Sequence, residues 1–214
     1  MEAPDTKTRI LDAAESLFAT RGVEASSLRE ITASAGVNLA AVNYHFGSKD
    51  DLVLAAFRRR IGPVNRERLE RLDALEVAAN GRAIALEELV EAFLAPSMRF
   101  LSPDRRLHAR LLGRVHHEAQ DELQTKLTHE FEQVVHRFVG ALSRALPRLG
   151  PAELLLRGHF MVGAMIYTLT HLDKLETVAP VPLHIAADQV LPQMIAFVAA
   201  GLRAPVPDRT EVGR

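Results

Sequence analysis

The residues of this chain whose types and spacing could do chemistry fall into two sets. The first lies between Ala25 and Lys49. Arg29 carries the forked donors that match the acceptors of guanine, Asn43 carries the donor and acceptor that match adenine, and small apolar residues such as Ala40 and Ala41 can meet thymine methyls. That chemistry is hydrogen bonding and apolar contact with a partner, with no bond broken. The second set is the nine histidines. His117 and Asp121 stand at i, i+4, the spacing of two metal ligands on one helix face, beside His116 and Glu118, and His129 and His136 are two turns apart. Such spacings arise readily by chance where histidine is frequent, so solvated or pocket-lining histidines are the better reading and no metal site is expected. The sequence has no Gly-rich phosphate loop, no Gly-x-Ser-x-Gly elbow and no nucleophile beside a recognisable base, so neither catalytic residues nor a cofactor are expected.

The first set needs elements to hold it, and the sequence supplies them. Ser26 or Ser27 can cap a helix, with Glu30 at the capping-box position, and Leu28 and Ile31 share its buried face. Gly36 ends that helix in a left-handed conformation, Val37 plugs the corner, and Asn38 caps the next helix. Val42 and Phe46, four apart, are expected to face inward, leaving Ala40, Ala41, Asn43 and Tyr44 outward or flanking and Leu39 at the edge. Two short helices joined by a stiff turn match a helix-turn-helix, whose second helix enters the major groove.

A leading helix ending in Arg21-Gly22, then Ile31, Ala35-Gly36-Val37, Tyr44-His45-Phe46 and Lys49, extend the match over residues 9 to 57. This stretch resembles the TetR family of transcriptional regulators, and the wording NLAAVNYHFGSK is similar to its fatty-acid-responsive branch. The resemblance implies a ligand-responsive, DNA-binding repressor, a homodimer released from a palindromic operator by a small apolar effector such as a fatty acid or acyl-CoA. It also implies phosphate contacts for Ser27, Tyr44, His45 and Lys49, and base-edge positions for Arg29, Asn38, Leu39, Ala40, Ala41 and Asn43. Many family members carry an aromatic where Asn43 stands. Two readings from other classes are an all-α histidine-metal enzyme, which would bind metal stoichiometrically, and a ligand-sequestering helical protein that has lost DNA binding.

Bulk properties fit a folded chain without settling its partners. Its 214 residues can bury a sizeable core, no segment is apolar and charge-free for a membrane span, and no signal peptide opens it, so a cytoplasmic protein is expected. The absence of cysteine excludes disulfides and thiolate metal sites. A net charge of -1 lends a DNA binder no support, and residues 1 to 60 balance eight Lys/Arg against eight Asp/Glu. The run Arg58-Arg59-Arg60 is open to two readings, a solvated helix face or extra phosphate contacts.

No segment alternates with period two, so the fold is expected to be all-α, an N-terminal three-helix helix-turn-helix DNA-binding domain plus a C-terminal helical ligand-binding and dimerisation domain. Expected boundaries are 1–60 for the first domain, 61–82 for a connecting helix, 83–203 for the second domain and 204–214 for a flexible tail. Helices are predicted over 5–21, from Ser48 to an interruption at Gly62-Pro63, onward from Asn65 to Ala79, then at 84–101, 104–117, 119–145, 151–174 and 183–203. The last two are apolar almost all round, and the resemblance puts the dimer interface there. Phe93, Met98, Leu111, Phe131, Val135, Phe138, Met161 and Met165 are flexible apolar residues that could line an adaptable cavity. Arg110, Arg114, His116 and His117 are candidate partners for an acyl head group.

Overall fold

The computed structural model describes residues 5–102, 105–118, 121–178 and 185–206, and every regular element among them is helical. The chain is all-α, with an N-terminal helix-turn-helix and a C-terminal helical domain. Helix α1 (Thr6–Arg21) starts where Asp5 accepts from the Thr8 N–H at 2.6 Å and ends at Gly22 (φ 97°). Its Ile10, Leu11, Ala14 and Phe18 are buried, as the spacing predicts, while Leu17 is only half-buried. Helices α2 (Leu28–Ala35) and α3 (Leu39–Phe46) follow, and α4 (Lys49–Ala79) opens on the Ser48 hydroxyl, which accepts from the Asp51 N–H at 3.1 Å.

Two expected boundaries are corrected. Gly62-Pro63 does not interrupt α4, which runs unbroken to Ala79. Pro63 lies exposed, so the carbonyl that loses its donor faces the water side of the helix and the turn survives. The segment expected as one helix over 119–145 is two, α7 (Asp121–His129) and α8 (Glu132–Ala145). Between them the Glu130 and Phe131 N–H groups bond three residues back, to Leu127 and Thr128. This break is held from α4: Asn65 donates to the Glu130 carbonyl at 2.8 Å, Arg58 pairs with its carboxylate, and Phe57 meets Phe131 edge to face.

The other helices are α5 (Leu86–Met98), continued by a 3-10 turn over Arg99–Leu101, α6 (Arg106–Glu118), α9 (Pro151–Val178) and α10 (Ala187–Arg203). Residues 183 and 184 of the last predicted helix, residue 104 of the helix predicted over 104–117, residues 119 and 120, and the tail from residue 207 lie outside the described residues.

The chain divides into two compact units. One is built from Met1–Arg66 and Phe100–Glu132, with α6 packed along α1. The other is built from Glu67–Arg99 and Gln133–Arg214, with α10 packed along α5. In the second, Leu89, Phe93, Phe138, Leu154, Met161, Met194 and Leu202 form a core in which each large side chain contributes about 1.5–3 kcal/mol.

Two arginines brace that core. Arg68, on the part of α4 expected to be a polar connector, is 1% exposed; it donates to the Phe93 carbonyl and the Ser97 hydroxyl, both at 2.8 Å, and its guanidinium lies 4.2 Å from the Phe93 ring centre. Burial lowers its pKa to about 9, which leaves it charged at neutral pH. Arg157 of α9 is also buried and donates to the Gly201, Leu202 and Ala204 carbonyls, supplying donors at the C-terminal end of α10 where intrahelical ones run out.

Candidate nucleic-acid interface

Local chemistry fixes both helices of the helix-turn-helix before any packing is considered. Ser27 and Glu30 complete a reciprocal capping box: the Ser27 hydroxyl accepts from the Glu30 N–H at 3.2 Å, and the Glu30 carboxylate accepts from the Ser27 N–H at 2.9 Å. Those hydrogen bonds hold the Glu30 carboxyl below the ordinary carboxylate range. Ser26, the other candidate cap, is buried and donates to the Gly22 carbonyl. At the far end Gly36 is left-handed (φ 62°, ψ 41°), its N–H reaches Ala33 and the Val37 N–H reaches Thr32, which is the Schellman arrangement. Asn38 then caps α3 by accepting from the Ala41 N–H at 2.9 Å.

The outward face of α3 is small and polar-tipped. Leu39, Ala40, Asn43 and Tyr44 are exposed, Tyr44 at 86%, while Ala41 and His45 are half-buried. Val42 is fully buried, but Phe46, expected beside it in the core, is only half-buried, because it sits in the last turn where the neighbouring helices no longer close over it. Tyr44 and His45 meet edge to face at 5.1 Å. Lys49 places its ammonium 3.4 Å from the Glu24 carbonyl, beside the same face.

Three acids of residues 1 to 60 are held in ion pairs with arginines of the same stretch, which leaves its neutral balance unchanged. Glu15, 3% exposed, pairs with Arg59 and Arg60, Asp12 pairs with Arg59 at 2.7 Å, and Glu30 pairs with Arg21 at 2.6 Å. Arg58, Arg59 and Arg60 are thereby bound to carboxylates. Arg29 is exposed on α2 and makes no ion pair among the described residues.

Two contacts of this region carry no signal in the sequence. Arg9, near the start of α1, donates through Nη2 to the Ala35 carbonyl at 2.5 Å and the Gly36 carbonyl at 2.8 Å. Glu118, at the end of α6, accepts from the Val23 N–H. Each joins residues far apart in sequence through a backbone group, and backbone groups leave no pattern of side-chain types to read.

The residues expected to line a cavity divide between the units. Leu111, Arg114, His117 and Phe131 belong to the first; Phe93, Met98, Val135, Phe138, Met161 and Met165 belong to the second. Phe93 and Phe138 are buried with ring centres 5.2 Å apart, Met161 and Met165 are buried on α9, and Val135 and His117 face solvent. Arg110 is exposed as well. The side chains of His116 and Asp121 lie outside the described residues, and His129 places a ring nitrogen 3.6 Å from the Glu132 carboxylate.

Comparison with known proteins bears on the whole chain. The family model described as bacterial regulatory proteins, tetR family, matches residues 10–56, and the one described as tetracyclin repressor-like, C-terminal domain, matches residues 91–201. The HTH-type transcriptional dual regulator CecR of Shigella flexneri is 32% identical over 107 residues, 49% of this chain and 48% of that protein. The chain spans between about a quarter and a half of the length of the curated relatives it matches. Among solved structures, FadR of Bacillus subtilis in complex with stearoyl-CoA aligns with TM-score 0.64 at 16% identity, covering 91% of this chain and 98% of that one. AibR in complex with isovaleryl coenzyme A and operator DNA aligns with TM-score 0.66 at 15% identity, covering 90% and 97%. Those two are likenesses of fold. The two family models match residues 10–56 and 91–201, the second alone more than half of the chain, and the chain belongs to the TetR family of bacterial regulatory proteins.

Proposed function

We propose that this chain is a cytoplasmic transcriptional repressor that binds a palindromic operator as a symmetric dimer and leaves it when a small apolar effector binds. The observation that carries the reading is the doubly capped α2–turn–α3 unit, whose second helix turns an uncharged, small-residue face with one exposed amide, Asn43, to solvent. Arg29, Asn38, Leu39, Ala40, Ala41 and Asn43 are assigned to base edges, and Ser27, Tyr44, His45 and Lys49 to phosphates. The hydroxyl of Ser27 and the amide oxygen of Asn38 are already engaged in capping, so their share in DNA contact falls to the lone pairs and N–H groups that remain.

Dimerisation is supported by the apolar residues that α9 and α10 leave uncovered. Leu155, Leu156, Phe160, Tyr167 and Phe197 are exposed in one compact unit, beside an open groove of about 880 Å³ lined by Ala164, Tyr167, Met194 and Phe197 among others. A patch of large apolar side chains on a folded chain marks an interaction surface. Two reading heads related by a two-fold axis fit half-sites about 34–36 Å apart.

The effector is assigned to the second unit, where Phe93, Met98, Phe138, Met161 and Met165 supply adaptable apolar walls. An acyl chain suits them, a choice favoured by the fold likeness to regulators solved with stearoyl-CoA and isovaleryl coenzyme A. To release DNA the effector must bind the non-operator state better, and each tenfold preference shifts the equilibrium by about 1.4 kcal/mol. Selection of bound fragments from genomic DNA, followed by titration of the enriched duplex with fatty acids and acyl-CoA esters, tests both parts. Enrichment of an inverted repeat is expected, and a protein that enriches nothing is not a DNA-reading regulator.

A further inference from the structure

Two arginines of α1 hold α2 at its two ends. Arg21 pairs with Glu30 in the capping box, and Arg9 donates to the Ala35 and Gly36 carbonyls where α2 stops. The second contact is chemically apt, because the last carbonyls of a helix lack intrahelical donors and carry the negative end of its dipole, where a cation is favoured. Gly36 is confined from both sides: its conformation is left-handed, and a β-carbon there would come 2.8 Å from Arg9 Nη2. Two residues later Asn38 caps α3, so whatever fixes the Gly36 carbonyl fixes where α3 begins.

We propose that Arg9 is a positioning residue for sequence reading: by clamping the α2 terminus and the turn it sets the seat of α3, and so governs discrimination between DNA sequences more than overall affinity for DNA. The inference rests on the reading of α3 as the base-reading helix. Its logic is geometric. A bidentate base contact tolerates little displacement, whereas phosphates are met by flexible side chains and by charge, which survive a small shift. Arg9 has its Nη2 turned onto two carbonyls, which sets it apart from a side chain extended to meet a phosphate.

The test uses the full-length protein with Arg9→Gln and Arg9→Lys, an operator duplex obtained by selection, and a random-sequence duplex of equal length, each over a range of salt concentrations. Loss of the clamp is expected to weaken operator binding by roughly tenfold or more, the range of a damaged bidentate contact. Binding to the random duplex is expected to stay within about twofold and the salt dependence to stay that of the wild type. Arg9→Lys keeps the charge on a shorter stem with a more strongly hydrated head, so it is expected to lose discrimination as Arg9→Gln does. Should Arg9→Gln fail to fold, Arg9→Lys carries the comparison alone. Restoration by lysine, with both duplexes weakened equally by glutamine and a salt slope shallower by about one, would make Arg9 a phosphate contact and overturn the proposal. Backbone amide exchange at Gly36 and Val37 in the free protein separates this from failure of the DNA reading itself. Faster exchange in both variants supports the clamp even if wild type selects no sequence; unchanged exchange overturns it.

Discussion

The Val23 N–H donates to the Glu118 carboxylate at 2.6 Å, across 95 positions of chain. It is the first N–H beyond the Gly22 that ends α1, and its acceptor is the last residue of α6. Gly22 is wedged beneath the same carboxylate: a β-carbon there would lie 2.8 Å from both Glu118 oxygens and 2.9 Å from Arg114. Glu118→Ala leaves a part-buried donor without this acceptor and is expected to destabilise the protein by about 1–3 kcal/mol. Denaturant unfolding checks it, and an unchanged midpoint would show that the contact contributes nothing in solution.

Gly36→Ala places a β-carbon in a left-handed conformation and against Arg9 at once. The conformational part alone costs about 1–2 kcal/mol. Operator binding is expected to fall while the variant still melts cooperatively, which parallel melting and gel-shift measurements would separate.

Asn43→Ala and Lys49→Ala are expected to fail differently. Removing the exposed amide of Asn43 should cost about 1–3 kcal/mol on the best operator and relax one base position, whereas removing Lys49 should weaken every sequence alike. Uniform loss across a base-substituted operator panel for Asn43→Ala would take it out of the reading set.

Phe197 is 72% exposed and nothing lies within 4 Å of a β-carbon placed on Gly163, so Phe197→Asp and Gly163→Arg are expected to leave the fold of the protomer intact. Both put charge into the face assigned to dimerisation and are expected to give monomers in sedimentation, with operator binding lost together with the dimer. A monomer that holds operator tightly would refute the two-fold model.

Glu87 of α5 and Arg203 in the last turn of α10 form a two-pronged pair, the second contact 2.6 Å long. The hydrogen bonds from Arg203 lower the Glu87 carboxyl to about 2 from a usual 4.5. The folded pKa is depressed, so the contribution is present in full above about pH 4.5 and is lost as pH falls towards 2. Carboxyl titration by NMR is expected to place Glu87 below the other glutamates, and Arg203→Gln should return it to the ordinary range.

How much of this was legible in sequence follows from what kind of interaction did the shaping. Caps and turns are local, so Gly36, Asn38 and Ser48 could be read directly from residue type and spacing, and the cap of α2 narrowed to Ser26 or Ser27. The break between α7 and α8 could not, because no Gly or Pro marks it and its partners Arg58 and Asn65 lie on α4. Pro63 misled for the opposite reason: a strong local breaker is tolerated where the carbonyl it orphans faces water. Arg68 was hidden among polar neighbours, since only the fold reveals that its face of α4 turns towards Phe93 and Ser97. For α3, the exposed Leu39, Ala40, Asn43 and Tyr44 were predictable from a 3.6-residue period, and the burial of Glu15 against Arg59 and Arg60 was not.

The uncharged face of α3 also bears on how such a regulator can diverge. On the proposed reading, the α3 residues that choose a sequence, Leu39, Ala40, Ala41 and Asn43, carry no charge, while phosphate contact falls to other side chains, Ser27, Tyr44, His45 and Lys49. Exchanging one small side chain for another on α3 would then redirect the protein to a new target while leaving its general attraction to nucleic acid in place, so duplicated copies could part ways one substitution at a time without passing through a form that binds nothing.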